Sequence, residues 1–291
     1  MKIAMIGDLH FRSTTPEARL DDYLATQAKL ITWLRETFKG HLILCSGDVV
    51  HKPRERQDAL GFTNYLLDNL PDMIGVLGNH DLLDHALCNI KKTTMGTLMR
   101  AGKYKVVKEA DVENVFIWGF NYGEEIVAPT RKKNKGDIYI AVYHGMILEE
   151  PNPFFEGIGA SEILAKFPQY DIILTGDNHK RFIVEDEARL LINPGSLKRD
   201  TADQIDHKPM VYVLDTETHL VDTVPVPIED DIISREHLEK KKKRDARIEA
   251  LSEKFAEVRE VGIDYFENIL QYMKENKVER AIKHWVMEWV A

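Results

Sequence analysis

The sequence predicts an α/β protein with a C-terminal helical tail. Three observations carry this. Short apolar runs rich in Ile, Val and Leu recur along the first three-quarters of the chain, as buried strands require. Patterns with apolar residues three to four apart separate the early runs. Near Pro225 and Pro227 the strand patterns stop, and only helical patterns follow.

In chain order, the expected strands are Lys2–Gly7, His41–Ser46, Met73–Leu77, Val115–Trp118, Ile138–Tyr143, Asp171–Thr175, Arg189–Ile192 and Met210–Leu214. The first apolar run resembles the start of a signal sequence, but it is short and ends in Asp8, so it reads as a strand. A helix is expected over Asp21–Lys39, with Leu24, Ala28, Ile31, Trp33, Leu34 and Phe38 apolar and Gly40 as its stop. A second helix is expected over Gln57–Leu70, using Leu60, Tyr65, Leu66 and Leu67 and ending before Pro71. The later strands have fewer helices between them, which predicts a second, more antiparallel sheet. Residues 131–136 form a basic loop. In the tail three stripes fit helices: Ile248, Leu251, Phe255 and Val258; Phe266, Ile269, Leu270 and Met273; Val278, Ile282, Trp285, Val286 and Trp289. The domains are therefore 1–230, a catalytic domain on the argument below, and 231–291, a helical tail.

Composition narrows the class. A chain 44% hydrophobic and 30% charged fits a soluble globular protein, and no apolar run is long enough to span a membrane. Cys45 and Cys88 form no Cys-x-x-Cys pair and read as reduced core thiols of a cytoplasmic protein. The formal charge of -9 lies wholly in residues 1–230, because the tail carries equal numbers of acidic and basic residues. Acidity argues against nucleic acid as partner. Two bound divalent cations would reverse the field where a phosphate docks. The run Lys240–Lys243 reads as a solvated face.

The chemistry lies where the strands end. The runs stop at Gly7, Asp8 and His10; at Gly47, Asp48 and His51; at Gly78, Asn79, His80 and Asp81; at His144; and at Gly176, Asp177 and His179. Catalytic groups of α/β sheets gather at the carboxyl ends of strands. A lone Gly-Asp or His in such a place is usually structural, but five clusters in order indicate a shared site. The donors are carboxylate, amide and imidazole, with no thiolate. That set suits Mn²⁺, Mg²⁺ or Fe²⁺ better than structural zinc.

As an ordered set, Asp8-x-His10, Gly47-Asp48, Gly78-Asn79-His80-Asp81, His144 and Gly176-x-x-His179 resemble the calcineurin-like metallophosphoesterases over about residues 1–228. Asn193-Pro194-Gly195-Ser196 matches a turn common in that family. The resemblance implies a two-sheet β-sandwich flanked by helices, a four-layer fold, with two divalent metal ions, most simply Mn²⁺, at one edge. It implies that Asp8, His10 and His179 bind one metal, that Asp48 bridges, that Asn79 and His144 bind the other, and that His80 is the acid for the leaving group. The family's histidine two residues before His179 is here Asp177, which is expected to ligate and to favour Mn²⁺ or Mg²⁺ over zinc. Two such cations acidify a water between them and neutralise the phosphoryl oxygens.

Gly47-Asp48-x-x-His51 is similar to SbcD-type DNA repair nucleases, whose extra histidine faces the phosphate. Phe11, Arg12 and the stretch 19–23 are similar to short nucleases of this kind, including phage ones. This implies a Mn²⁺-dependent exo- or endonuclease acting on DNA in repair or recombination, inside a cell or a phage-infected host. It implies an SbcC-like ATPase docking on the C-terminal helices, and a homodimer. Sixty-one residues of helical pattern leave no room for a full mixed α/β cap. The alternatives are a phosphatase or phosphodiesterase for a small molecule, nucleotide or phosphoprotein, which the acidic balance favours, and a non-catalytic scaffold, which the intact donor set disfavours.

Overall fold

A computed structural model describes residues 1–54, 59–152, 156–236, 242, 244–245, 247–249 and 265–290. It divides into two compact units, Met1–Ile233 and Ser234–Ala291.

The first unit is built from two six-stranded sheets. One sheet contains β1 (Lys2–Ile6), β2 (Leu42–Cys45), β3 (Met73–Gly75), β4 (Tyr104–Val106), β13 (Met210–Asp215) and β14 (Val221–Pro225), in the order β14-β13-β1-β2-β3-β4. The other contains β5 (Glu109–Val112), β6 (Val115–Phe120), β7 (Ile138–His144), β10 (Ile172–Gly176), β11 (Phe182–Asp186) and β12 (Arg189–Asn193), in the order β11-β12-β10-β7-β6-β5. A two-stranded ribbon, β8 (Ile147–Leu148) with β9 (Ile158–Gly159), stands apart. The helices are α1 (Tyr23–Thr37), α2 (Ala59–Asn69), α3 (Thr94–Arg100) and α4 (Ala160–Lys166).

Period-two alternation sends each strand's side chains to opposite faces, and here both faces are buried. Along β1, Ile3 and Met5 enter a core shared with Ile117, Ile140, Val142 and Leu174 of the second sheet. Ala4 and Ile6 face the other way, with Leu30, Ile31 and Leu34 of α1, Leu66 of α2 and Leu98 of α3. On the far side of the second sheet, Trp118, Tyr139 and Ile173 pack with Ile163 and Leu164 of α4. The layers are thus helix, sheet, sheet, helix, a two-sheet sandwich as expected.

The structure corrects several details. The second sheet is not the more antiparallel one: β6, β7, β10 and β12 run parallel, and only β5 and β11 at its edges are antiparallel. The first sheet has as many antiparallel pairings: β1 to β4 run parallel, β13 is antiparallel to β1, and β14 is antiparallel to β13. Of the parallel crossovers in the second sheet, β6 to β7 uses a loop, β10 to β12 uses the hairpin strand β11, and only β7 to β10 carries a helix, the two-turn α4, so counting helices misjudged its direction. Strands β4, β5, β11 and β14 are short edge or near-edge strands with weak apolar patterns, and the sequence did not mark them. Helix α1 starts at Tyr23, where the Asp22 side chain accepts from the Ala25 amide as N-cap. Its buried stripe runs Tyr23, Gln27, Leu30, Ile31 and Leu34, leaving Leu24 51% exposed. In α2, Leu66 is buried but Leu60 is 74% exposed. Cys45 is a core thiol as expected, whereas Cys88 is exposed on an irregular helical loop.

In the second unit, α5 (Tyr265–Glu275) and α6 (Arg280–Val290) meet through Ile269, Met273 and Val286, flanked by Val278 and Ile282. The stripe through Leu251, Phe255 and Val258, most of Lys240–Lys243, and the side chains of Phe266 and Trp289 lie outside the described residues. Among the described residues no helix is long and apolar enough to cross a membrane.

Because Ile140 lies fully buried between the sheets, Ile140→Ala should cost about 2–5 kcal/mol of unfolding free energy in urea titrations. Leu60→Ala, on the exposed face of α2, should change it by less than about 0.5 kcal/mol. A large loss for Leu60→Ala would contradict the assigned helix face.

Candidate metal centre

Four parallel strands, β1, β2, β7 and β10, carry their last residues to one edge of the sandwich. Just past them the backbone turns sharply. His10, Asp48 and Asp177 all have left-handed conformations, with φ of 45°, 51° and 85°. Such residues are uncommon, and their cost is tolerated where the surroundings over-determine them. Each turn redirects a side chain from the strand's own direction into a common space.

Two glycines make that space. At Gly47 φ is +108°, and an added Cβ would collide with His144 Nδ1 and the Gly78 backbone. At Gly78 a Cβ would fall on the Asp48 carboxylate. The glycines at these strand ends therefore admit the donors themselves.

All nine residues singled out from the sequence meet here. One group of donor atoms comprises Asp8, His10 and Asp48, all buried, and another comprises Asp48, His144 and Asp177, so Asp48 is common to both. A third joins His10, His51 and His80. His179 Nε2 lies 3.0 Å from His10 Nε2, and Asn79 Oδ1 lies 3.2 Å from His144 Nε2. Asp48 Oδ2 stands 3.6 Å from His10 Nε2 and 3.5 Å from His144 Nε2, too far for good hydrogen bonds.

Second contacts orient the donors. His144 Nδ1 bonds the Ser46 carbonyl at 2.7 Å, which turns Nε2 toward the site. The Asp48 Oδ1 accepts from the His80 amide at 2.9 Å, and Asp8 Oδ1 accepts from the Asp177 amide at 3.2 Å. His80 Nδ1 contacts the His51 carbonyl at 2.6 Å, so the proton is on Nδ1 and Nε2 is directed elsewhere. The His51 ring stacks on His80 with centroids 5.3 Å apart and planes at 28°.

Electrostatics agree with a cation site. Burial pushes the Asp8 carboxyl up to about 6. Burial acts the same way on Asp48, but the facing His144 and His10 imidazoles outweigh it and hold the carboxylate ionised. His144 is opposed by burial and raised by Asp48. Burial, helped by Arg12 and His80, pushes His51 down to about 4, so it is neutral near pH 7. Burial also raises Asp177.

The donor set fits divalent metal ions. Asp8 Oδ2, Asp48 Oδ2 and His10 Nδ1 are buried without a hydrogen-bond partner among the described residues, and both carboxylates belong to the converging groups. A buried unpaired carboxylate oxygen is costly, and a cation would satisfy both. Oxygen and imidazole donors without thiolate match hard or borderline metals.

A family model described as the calcineurin-like phosphoesterase superfamily domain matches residues 1–219. The chain belongs to that superfamily. No curated protein sequence matches it. Among solved structures, an archaeal phosphodiesterase is 18% identical, with 77% of this chain and 99% of that one covered and a TM-score of 0.42. A putative 5'-nucleotidase from Staphylococcus aureus is 18% identical, covering 84% and 58%, with a TM-score of 0.48. Vps29 from Entamoeba histolytica, in a zinc complex, is 13% identical, covering 78% and 100%, with a TM-score of 0.35.

Supporting residues escaped the sequence reading. Asp81 stood in a quoted motif without a role, yet its buried carboxylate accepts from the Val50 and Gly78 amides at 3.1 and 3.0 Å, tying two donor loops together. Asn193 donates to the Asn178 and Lys180 carbonyls at 2.6 and 2.7 Å and shapes the loop carrying His179. Lys198, to which the sequence assigned no role, is buried.

Two outcomes check this centre. Mn²⁺ at a hundredfold excess over its Kd should stabilise the protein by about 2.7 kcal/mol per site and raise Tm, while a chelator reverses the gain; a Tm indifferent to both would leave the donors without a cation to hold. Asp177→Ala should lower the bound Mn²⁺ stoichiometry or affinity; an unchanged isotherm would remove Asp177 from the donor set.

Proposed function

We propose that this superfamily member is a two-metal phosphodiester hydrolase acting on DNA in the manner of SbcD-type nucleases. Asp8, His10 and His179 would hold one ion, Asn79, His144 and Asp177 the other, and Asp48 both. When bound, the ions supply a nucleophile at neutral pH and neutralise the phosphoryl oxygens.

The protein's own groups do the rest. His80 is half-buried beside the first donor group, its ring 4.7 Å from that of His10. Its Nδ1–H is tied to the His51 carbonyl, so the imidazolium form, with a second proton on Nε2, is the one that hands that Nε2 proton to the leaving alkoxide and returns to the neutral Nδ1–H tautomer. His51 is the observation that carries the nuclease reading. Its ring stacks on His80 and lies 5.7 Å from His10, so the imidazole that the SbcD spacing singles out sits at the site rather than on a remote loop. Neutral at pH 7, it can donate its ring N–H to a phosphate oxygen or to the leaving group.

The same resemblance supports an intracellular role in DNA repair or recombination with an SbcC-like ATPase. In the tail, Ile269, Met273 and Val286 pack on one another, so a partner would engage the face of α6 carrying Trp285, which is 48% exposed. A second reading, a phosphatase or phosphodiesterase for small substrates, is favoured by the excess of acidic residues in 1–230.

Turnover of single-stranded DNA in Mn²⁺, measured beside a simple aryl phosphodiester and a mononucleotide, separates the two. The nuclease reading expects DNA to be cleaved with the higher kcat/KM; turnover of the mononucleotide alone would overturn it. His80→Asn should keep Mn²⁺ binding and slow DNA cleavage by roughly two to four decades. Loss of metal in that variant would reassign His80 from acid to ligand.

A further inference from the structure

Two buried histidines of the donor groups, His10 and His144, are held differently. His144 is oriented by its second ring nitrogen, which bonds the Ser46 carbonyl. Metal-binding histidines almost always have such a partner. His10 does not: its Nδ1 is buried and without a hydrogen-bond partner among the described residues. The direction of its Nε2 must come from its backbone, and that backbone is in the left-handed region.

The His10 backbone is held from both sides. Its amide donates to the Asp48 carbonyl at 2.8 Å. Its carbonyl accepts from the Lys198 ammonium at 2.9 Å. Lys198 reaches it from the turn after β12, where the Leu197 amide also bonds the Asp8 carbonyl at 3.2 Å, so the turn runs alongside the Asp8–His10 segment.

This ammonium is a built feature. It also donates to the Tyr23 hydroxyl and to Asp200 Oδ2 at 3.1 Å, and Gln27 Oε1 lies 3.4 Å away. Tyr23 in turn donates to Asp200 at 2.8 Å. Three N–H groups thus meet three close acceptors, which is the full donor capacity of a lysine. Gln27 meanwhile accepts from the Arg12 amide at 3.0 Å and donates to the Arg12 carbonyl at 2.8 Å, fixing the residues that follow His10. Tyr23 and Gln27 are polar groups on the buried face of α1, where apolar packing alone would be simpler. Enclosing an ammonium is costly, so its partners must be specific.

We propose that Lys198 is a positioning residue: through the His10 carbonyl it fixes the left-handed turn that aims the His10 imidazole at the first metal. The proposal rests on the metal-centre reading above. Tyr23, Gln27 and Asp200 hold the ammonium in place, so the first turns of α1 become part of the metal centre without touching it.

Mn²⁺ titration of the full chain, read by electron paramagnetic resonance of the free ion, tests this. His10→Ala and Asn79→Ala first identify which binding step belongs to which donor group. Lys198→Met should then weaken the step lost in His10→Ala by about 10–100-fold and leave the other unchanged. Added to His10→Ala, it should cost no further Mn²⁺ affinity. Equal weakening of both steps, or of neither, overturns the proposal, because a merely structural role would affect them alike. If circular dichroism finds Lys198→Met unfolded, Tyr23→Phe decides: it keeps the ammonium, removes one partner, and should selectively weaken the same step, and no selective loss overturns the proposal. A wild-type chain that binds no Mn²⁺ would sink the metal centre itself, a separate outcome from two wild-type steps that Lys198→Met leaves intact.

Discussion

Everything at the carboxyl edge of the sandwich depends on where the Asp48 carboxylate is placed. It is buried, common to both donor groups, and faced by His10 and His144. One oxygen is fixed by the His80 amide, and the other has no hydrogen bond among the described residues. Such a group is costly in a protein interior unless something positive meets it. The imidazoles meet it in part. Two cations would meet it fully, and the surrounding side chains are the ones that bind such ions.

That placement is a property of backbone more than of side chain. Gly47 takes a conformation that L residues rarely adopt, and Gly78 leaves the volume the carboxylate occupies. The left-handed turns at His10, Asp48 and Asp177 lie on separate strand ends, and each is braced by neighbours. Asp81 links the loops after β2 and β3 by accepting from Val50 and Gly78. The site is therefore stiff because the loops hold one another, with the two buried faces of each sheet fixing where the loops begin.

A division of labour follows. The donor groups are made of carboxylates and imidazoles, and the Asp177 carboxylate is, like an imidazole, a group that can hold a cation. The bracing residues, Ser46, Asp81, Asn193 and Lys198, act through backbone carbonyls and amides. They reach the site from different elements, and α1 contributes through Tyr23 and Gln27 although it lies in another layer.

The sequence by itself determined the α/β class, most of the strands and the set of polar residues that collect at their ends. Apolar runs and the Gly-Asp, Asn-His and Asp-x-His clusters are local signals, and the place where a strand ends follows from local composition. Only the tertiary structure decided strand direction in the second sheet, because its crossovers use a loop, a hairpin strand and the short helix α4, too little periodic pattern to mark a parallel connection. Only it decided that Leu24 and Leu60 face outward while Tyr23 and Gln27 face inward, since one residue of phase on a helix is fixed by the packing partner. It alone brought Lys198 against His10, 188 positions apart, because a buried charge is recognised by the acceptors folded around it and leaves no mark in the residues beside it.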